Sequence, residues 1–82
     1  MPEFPQILLN VAVSAKPPLE ELSAINERAL AHEAELGEDG RVLLRYSGTE
    51  PVLRVMVEGP DEARIREMAQ DIAGLITAEL GD

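Results

Sequence analysis

The stretch RVLLRYSGTEPVLRVMVE, residues 41–58, decides the fold. Two runs rich in β-branched and aliphatic residues, RVLLRY (Arg41 to Tyr46) and VLRVMVE (Val52 to Glu58), flank the turn SGTEP, and this pattern predicts an antiparallel hairpin. Arg45 shares a side with Leu43, and Arg54 shares a side with Met56 and Glu58. In a symmetric hairpin both guanidinium groups then project from one face beside the turn. Like charges facing each other across strands repel. A negative group is therefore expected between or above them: Glu50 in the turn, or a bound anion. Glu58 lies at the far end of its strand, too distant to serve.

Working outward, QILLNVAV (Gln6 to Val13) alternates Ile7, Leu9, Val11 and Val13 with Leu8, Asn10 and Ala12, which predicts a further strand with one fully apolar face. Pro17 and Pro18 break the extended run, and Leu19, Leu22, Ile25, Ala29 and Leu36 follow a helical stripe, so a helix is expected from about Leu19 to Leu36. Gly37 suits the position just past its end, and Glu38 to Gly40 supply a turn. Gly59 and Pro60 stop the hairpin. Asp61 and Glu62 put negative charge where a helix dipole favours it, and Ile65, Met68, Ala69, Ile72, Leu75, Ile76 and Leu80 mark a second amphipathic helix. The order βαββα predicts an α+β fold, a single domain over residues 1–82. Two helices cover one face of a mainly antiparallel sheet in a two-layer sandwich. The other face keeps Leu8, Leu43, Met56 and Arg54. Either another domain covers it or it is the ordinary apolar share of a protein surface.

Composition narrows the function. A chain of 82 residues buries only about 60% of the surface its unfolded form exposes, which leaves room for one modest core and not for a complete multi-substrate enzyme. There is no cysteine, hence no disulfide or thiolate metal site. No apolar run approaches the roughly 20 residues of a membrane span, and residues 1–5 lack the features of a signal peptide, so the chain reads as cytoplasmic with no membrane partner. Such an early first strand fits a very small protein or a piece of a longer one. The net charge of −9 weighs against nucleic acid as a partner. Within residues 41–58, three arginines against two glutamates leave a net +1, so the rest of the chain carries −10. The hairpin is a positive island on an acidic body.

The turn has the chemistry of an anion cradle. Gly48 allows backbone N–H groups to converge on a concavity, Ser47 and Thr49 add small hydroxyl donors, and arginine matches phosphate oxygens with a planar, two-pronged donor set. The conformational alternative is a plain turn with solvated arginines, since Ser, Gly and Pro populate turns for backbone reasons alone. Elsewhere the sequence suggests simple readings. His32, the only histidine, has no second ligand or nucleophile in its pattern and reads as a solvated helix position. Met56 and Met68 read as packing residues, and Glu20, Glu21, Glu27, Glu33 and Glu35 as a solvated helix face.

The run RYSGTEPVLRVMVEG, with the KP-containing link, the helix ending in ELG and the following RVLLR, resembles the C-terminal domain of the α-D-phosphohexomutases. Within that superfamily it is nearest to the phosphoglucosamine mutase branch, and the resemblance covers about Pro5 to Leu80. It implies a TATA-box-binding-protein-like fold and a loop that holds the phosphate of a phosphosugar opposite a catalytic phosphoserine. Carried over, Arg45, Ser47, Gly48 and Thr49 would bind the substrate phosphate, Arg54 would bind it or orient the loop, and Glu50 would orient the loop. Tyr46 stands where that branch often has proline, which leaves the loop's stiffness open. The whole enzyme so implied converts glucosamine 6-phosphate to glucosamine 1-phosphate for cell-wall precursors, with Mg²⁺ and a phosphoserine. The family's serine loop, DGDxDR metal loop and GExSG sugar loop do not occur here. No catalytic residue, metal or cofactor is thus expected within this domain, whose partners would be the phosphosugar and the parent's other domains. Another phosphohexomutase, such as a phosphomannomutase or phosphoglucomutase, and a non-catalytic protein-interaction domain remain as alternatives.

Overall fold

The computed structural model describes residues 4–81; of the leader reading at residues 1–5, the first three positions lie outside that span. The described elements are β1 (Gln6–Ala12), α1 (Ser23–Leu36), β2 (Arg41–Tyr46), β3 (Val52–Glu58) and α2 (Glu62–Leu80), with single 3-10 turns at Leu19–Glu21 and Gly37–Asp39. The sheet is antiparallel throughout, in the order β1-β3-β2. β3 therefore occupies the centre, with the hairpin partner on one side and the amino-terminal strand on the other. This is the expected α+β arrangement.

Alternation sorts the side chains. Val55, Val57 and Leu53 of the central strand are wholly buried under the helices, with Val11 and Val42 beside them. α2 packs chiefly on β1 and β3, α1 on β2, and the two helices touch each other. Ile65, Met68, Ala69, Ile72 and Ile76 of α2 turn inward, as their spacing requires. Asp61 caps this helix: its carboxylate accepts from the N–H groups of Ala63 at 3.1 Å and Arg64 at 3.3 Å.

The first helix starts later than its apolar stripe suggests. Leu22, with φ −91° and ψ 67°, breaks the helical path between the 3-10 turn and α1. Its side chain instead plugs the core at 6% exposure. The Asn26 amide donates to the Leu19 carbonyl at 2.7 Å and fixes the break. At the other end Gly37 takes φ 64°, and its N–H returns to the Glu33 carbonyl, as a helix-terminating glycine does.

Two helix residues differ from the simple readings. Glu33 is not merely solvated: its carboxylate accepts from the N–H of Val42 at 3.0 Å and so satisfies a donor on the edge strand β2. His32 is half-buried between the helices, where its Nε2 lies 2.7 Å from Asp71 Oδ2 and Arg28 Nη1 lies 2.7 Å from Asp71 Oδ1. A carboxylate can only accept, so Nε2 carries the proton and a neutral ring has Nδ1 as its acceptor. That Nδ1 is buried without a partner among the described residues. The single turn of sequence around His32 does not show Asp71, which lies 39 positions away.

Hydrogen bonds from Arg28 and then His32 hold the Asp71 carboxyl below its ordinary range. A group depressed in the folded state stabilises fully above its unfolded value of about 3.9 and loses that stabilisation as pH falls through its lower folded value. Asp71→Asn should therefore lower Tm at pH 7, and the gap from the parent chain should narrow once the medium is more acidic than about pH 3.9. Parallel melting curves across that range check this; a gap independent of pH would mean that the carboxylate charge is not what counts.

Candidate functional site

Register places the arginines. Arg45 faces Arg54 directly across β2 and β3, and Asn10 faces Arg54 from β1, so the row Asn10, Arg54, Arg45 crosses the open face of the sheet beside the turn. The next row is apolar: Leu8, Met56 and Leu43. Leu8 is 69% and Leu43 43% exposed. The third row, Gln6, Glu58 and Arg41, ends the face with an ion pair of 3.0 Å between Arg41 and Glu58. The sheet face that the sequence leaves uncovered is thus graded from cationic at the turn, through apolar, to a neutralised pair.

Neither Arg45 nor Arg54 has an ion-pair partner among the described residues. Arg28, Arg41, Arg64 and Arg66, by contrast, are all paired with carboxylates. Glu50 does not reach either guanidinium; it holds the turn through its backbone, its carbonyl accepting from Val52 N–H at 2.8 Å. Two like charges are therefore set side by side with no internal neutralisation among the described residues. Such a pair has unused capacity to bind an anion.

The turn builds the rest of the site. Ser47 is 6% exposed. Its N–H donates to the Val52 carbonyl at 3.0 Å, closing the hairpin. Its Oγ accepts from the N–H groups of Thr49 at 3.3 Å and Glu50 at 3.2 Å, a hydroxyl-stabilised turn. Those two amides are thereby engaged, and Pro51 has none. Gly48 is left with an N–H that makes no hydrogen bond among the described residues. Its role is not the left-handed backbone that glycine permits, since Gly37 is the single described residue with positive φ. A Cβ at Gly48 would meet open space. The Ser47 hydroxyl hydrogen and the Thr49 hydroxyl complete the donors.

Arg45, Ser47, Gly48, Thr49 and Arg54 line one open cavity of about 390 Å³, together with Tyr46 and the apolar trio Leu8, Leu43 and Met56. Every residue expected to bind phosphate directly is thus in one place. The sequence reading missed Lys16 and the role of Tyr46. Lys16 Nζ donates to the Ser47 carbonyl at 2.8 Å, and the Tyr46 hydroxyl donates to the Pro17 carbonyl at 2.6 Å. Burial pushes the Tyr46 phenol up from its ordinary value, so it remains a donor at neutral pH. The stiffness that a proline would give position 46 comes instead from a bond to the β1–α1 link. In sequence Pro17 and Pro18 signal a chain break and the KP pair adds to the family resemblance, but neither shows the target of the lysine.

Among the described residues no three His, Cys, Asp or Glu side chains gather closely enough to hold a metal ion. The donors here suit an anion; they do not fit Mg²⁺. Among the described residues no helix is long and apolar enough to cross a membrane.

Fold and cavity together define a two-layer α+β domain with a cationic, hydroxyl-bearing loop at one end of its sheet. The chain belongs to the phosphoglucomutase/phosphomannomutase C-terminal domain family, which it matches over residues 8–75. It is 54% identical over 77 residues to phosphoglucosamine mutase of Desulfovibrio desulfuricans, covering 94% of this chain and 17% of that protein. To phosphoglucosamine mutase of Syntrophotalea carbinolica it is 47% identical over 81 residues, covering 99% of this chain and 18% of that protein. The chain thus spans less than a fifth of the length of these relatives. Among solved structures, N-acetylphosphoglucosamine mutase of Aspergillus fumigatus in complex with GlcNAc-6P and magnesium shares the fold. There the TM-score is 0.61 at 22% identity, over 92% of this chain and 16% of that one. A variant of the same fungal enzyme with glucose 1,6-bisphosphate gives a TM-score of 0.70 at 20% identity, over 96% of this chain and 16% of that one.

Proposed function

We propose that this chain is the C-terminal domain of a cytoplasmic phosphoglucosamine mutase and that it holds the phosphate group of the phosphosugar in Arg45, Ser47, Gly48, Thr49 and Arg54. The observation that carries the reading is the unneutralised Arg45–Arg54 pair, set across adjacent strands at the rim of the cavity that the SGT loop closes. A phosphate monoester brings about −1.5 to −2 charges and three acceptor oxygens, which removes the repulsion between the arginines and engages the Gly48 amide and the two hydroxyls. In the full-length mutase the reaction interconverts glucosamine 6-phosphate and glucosamine 1-phosphate. Relatives that carry this name, and a distant structure holding GlcNAc-6P and magnesium, support that substrate class. Phosphoserine and Mg²⁺ belong to other parts of the enzyme. No residue here attacks, protonates or coordinates; the domain binds one end of the substrate and orients it. The apolar trio beyond the arginines adds a surface that the rest of the enzyme, or the sugar's less polar side, can cover.

Alone, the chain should bind inorganic phosphate at millimolar strength or weaker, about −4 kcal/mol, because a few exposed donors must offset the entropy of association. Added salt should weaken it further. An amide NMR titration at low ionic strength should move the signals of Arg45 to Thr49 and of Arg54, with no mutase turnover in the same sample. A loop unmoved up to tens of millimolar, on that affinity scale, overturns the phosphate role for the isolated domain.

A further inference from the structure

The orientation of the Ser47–Gly48 peptide is set from outside the cavity it lines. No peptide bond among the described residues is cis, so the Ser47 carbonyl and the Gly48 N–H point in opposite directions. Lys16 Nζ grips that carbonyl at 2.8 Å. Ser47 and Gly48 line the cavity, whereas Lys16 does not. With the carbonyl drawn towards Lys16, the Gly48 N–H is turned the other way.

We infer that Lys16 is a positioning residue for the anion site: its ammonium group fixes the Ser47–Gly48 peptide so that the Gly48 N–H, and not the Ser47 carbonyl, meets the ligand. The inference rests on the phosphate-binding reading and deepens it. Its weight comes from the accounting of the turn, in which the amides of Ser47, Thr49 and Glu50 are spent internally and Pro51 has none. The Gly48 amide is the backbone donor that remains in the turn. A flipped peptide would replace it with a carbonyl lone pair directed at a dianion, turning an attraction into a repulsion.

The lysine is held in place by a strap. Residues 13–17 are fastened to the hairpin at both ends, by the Val13 N–H to the Pro51 carbonyl at 2.9 Å and by the Tyr46 hydroxyl to the Pro17 carbonyl at 2.6 Å. Lys16 leaves the backbone next to the second fastening, so its Cα is held at a set distance from its target. Lys16 is exposed and lies outside the hydrophobic core.

The test compares the 82-residue chain with Lys16→Met, which keeps the stem and removes the donor, and Lys16→Arg, which restores a cationic donor. Without ligand, the Ser47 carbonyl carbon signal should move upfield in Lys16→Met and return in Lys16→Arg. With inorganic phosphate, Lys16→Met should bind roughly tenfold more weakly, the loss of one charge-assisted donor. The phosphate-induced shift of the Gly48 amide should be lost selectively, while the Arg45 and Arg54 Nε–H signals still respond. An unchanged Ser47 carbonyl signal overturns the clamp whether or not the loop binds phosphate. If Lys16→Met weakens binding but Gly48 still shifts fully at saturation, Lys16 acts only through its charge, and the positioning role is overturned. Failure of the unaltered loop to respond to phosphate counts instead against the phosphate-binding reading, and the carbonyl signal then decides the clamp alone.

Discussion

Arg45→Ala is expected to lower kcat/KM of the full-length mutase, of which this chain is proposed to be the last domain, by about ten- to a hundredfold. The same change should leave the domain as stable as before, or more stable by a few tenths of a kcal/mol. The two signs follow from one feature. Arg45 lies opposite Arg54 with no carboxylate partner among the described residues, so the native fold carries its charge at a small cost and only an anion recovers it. Removing it costs a charge-assisted contact of about 1.5 to 3 kcal/mol when phosphate is bound in ground and transition states alike. Steady-state kinetics and a melting curve on the same variant check both halves. Loss of efficiency that merely tracks loss of folded protein, or unchanged efficiency, would remove Arg45 from the site.

The second large effect is on stability. Leu53→Ala should cost about 2 to 5 kcal/mol, because a wholly buried side chain leaves both lost transfer energy and a cavity. Leu53 sits at 0% exposure in the central strand, next to Arg54 in sequence and paired with Val11 on one side and Tyr46 on the other. A domain of this size has roughly 4 to 12 kcal/mol in total, so this substitution consumes a large part of it and should lower Tm by more than about 10 °C. Thermal unfolding followed by circular dichroism measures it. A change below about 1 kcal/mol would mean that β3 is not gripped by α2 as its burial indicates.

How much of this could be read from the chain depends on the range of the interactions. β2 and β3 were legible to the residue because alternation and the SGTEP turn are local signals. Opposition of Arg45 and Arg54 followed from the hairpin register alone. The start of α1 was not legible: Leu22 fits the helical stripe, yet the core draws it in through a non-helical backbone, a preference of tertiary packing over spacing. Glu33, His32 and Lys16 look ordinary in sequence because their partners Val42, Asp71 and Ser47 come from other parts of the chain. For the site, composition indicated which groups are present but not which are already spent. Only the geometry shows that the Ser47 hydroxyl engages the Thr49 and Glu50 amides and leaves Gly48 as the open donor.

The position of β3 between the other two strands also governs the order of assembly. β1 gains a sheet partner only once β3 is in place, and bringing those strands together closes a long stretch of chain. The β2–β3 hairpin closes over residues 47–51 alone, the smallest entropic cost in the sheet and an event on the microsecond scale. The loop proposed to hold phosphate is therefore also the segment of the sheet expected to close first. Ser47, whose amide and hydroxyl tie that turn together, is then under two demands at once, and Ser47→Ala is expected to slow folding as well as to weaken the proposed phosphate contact.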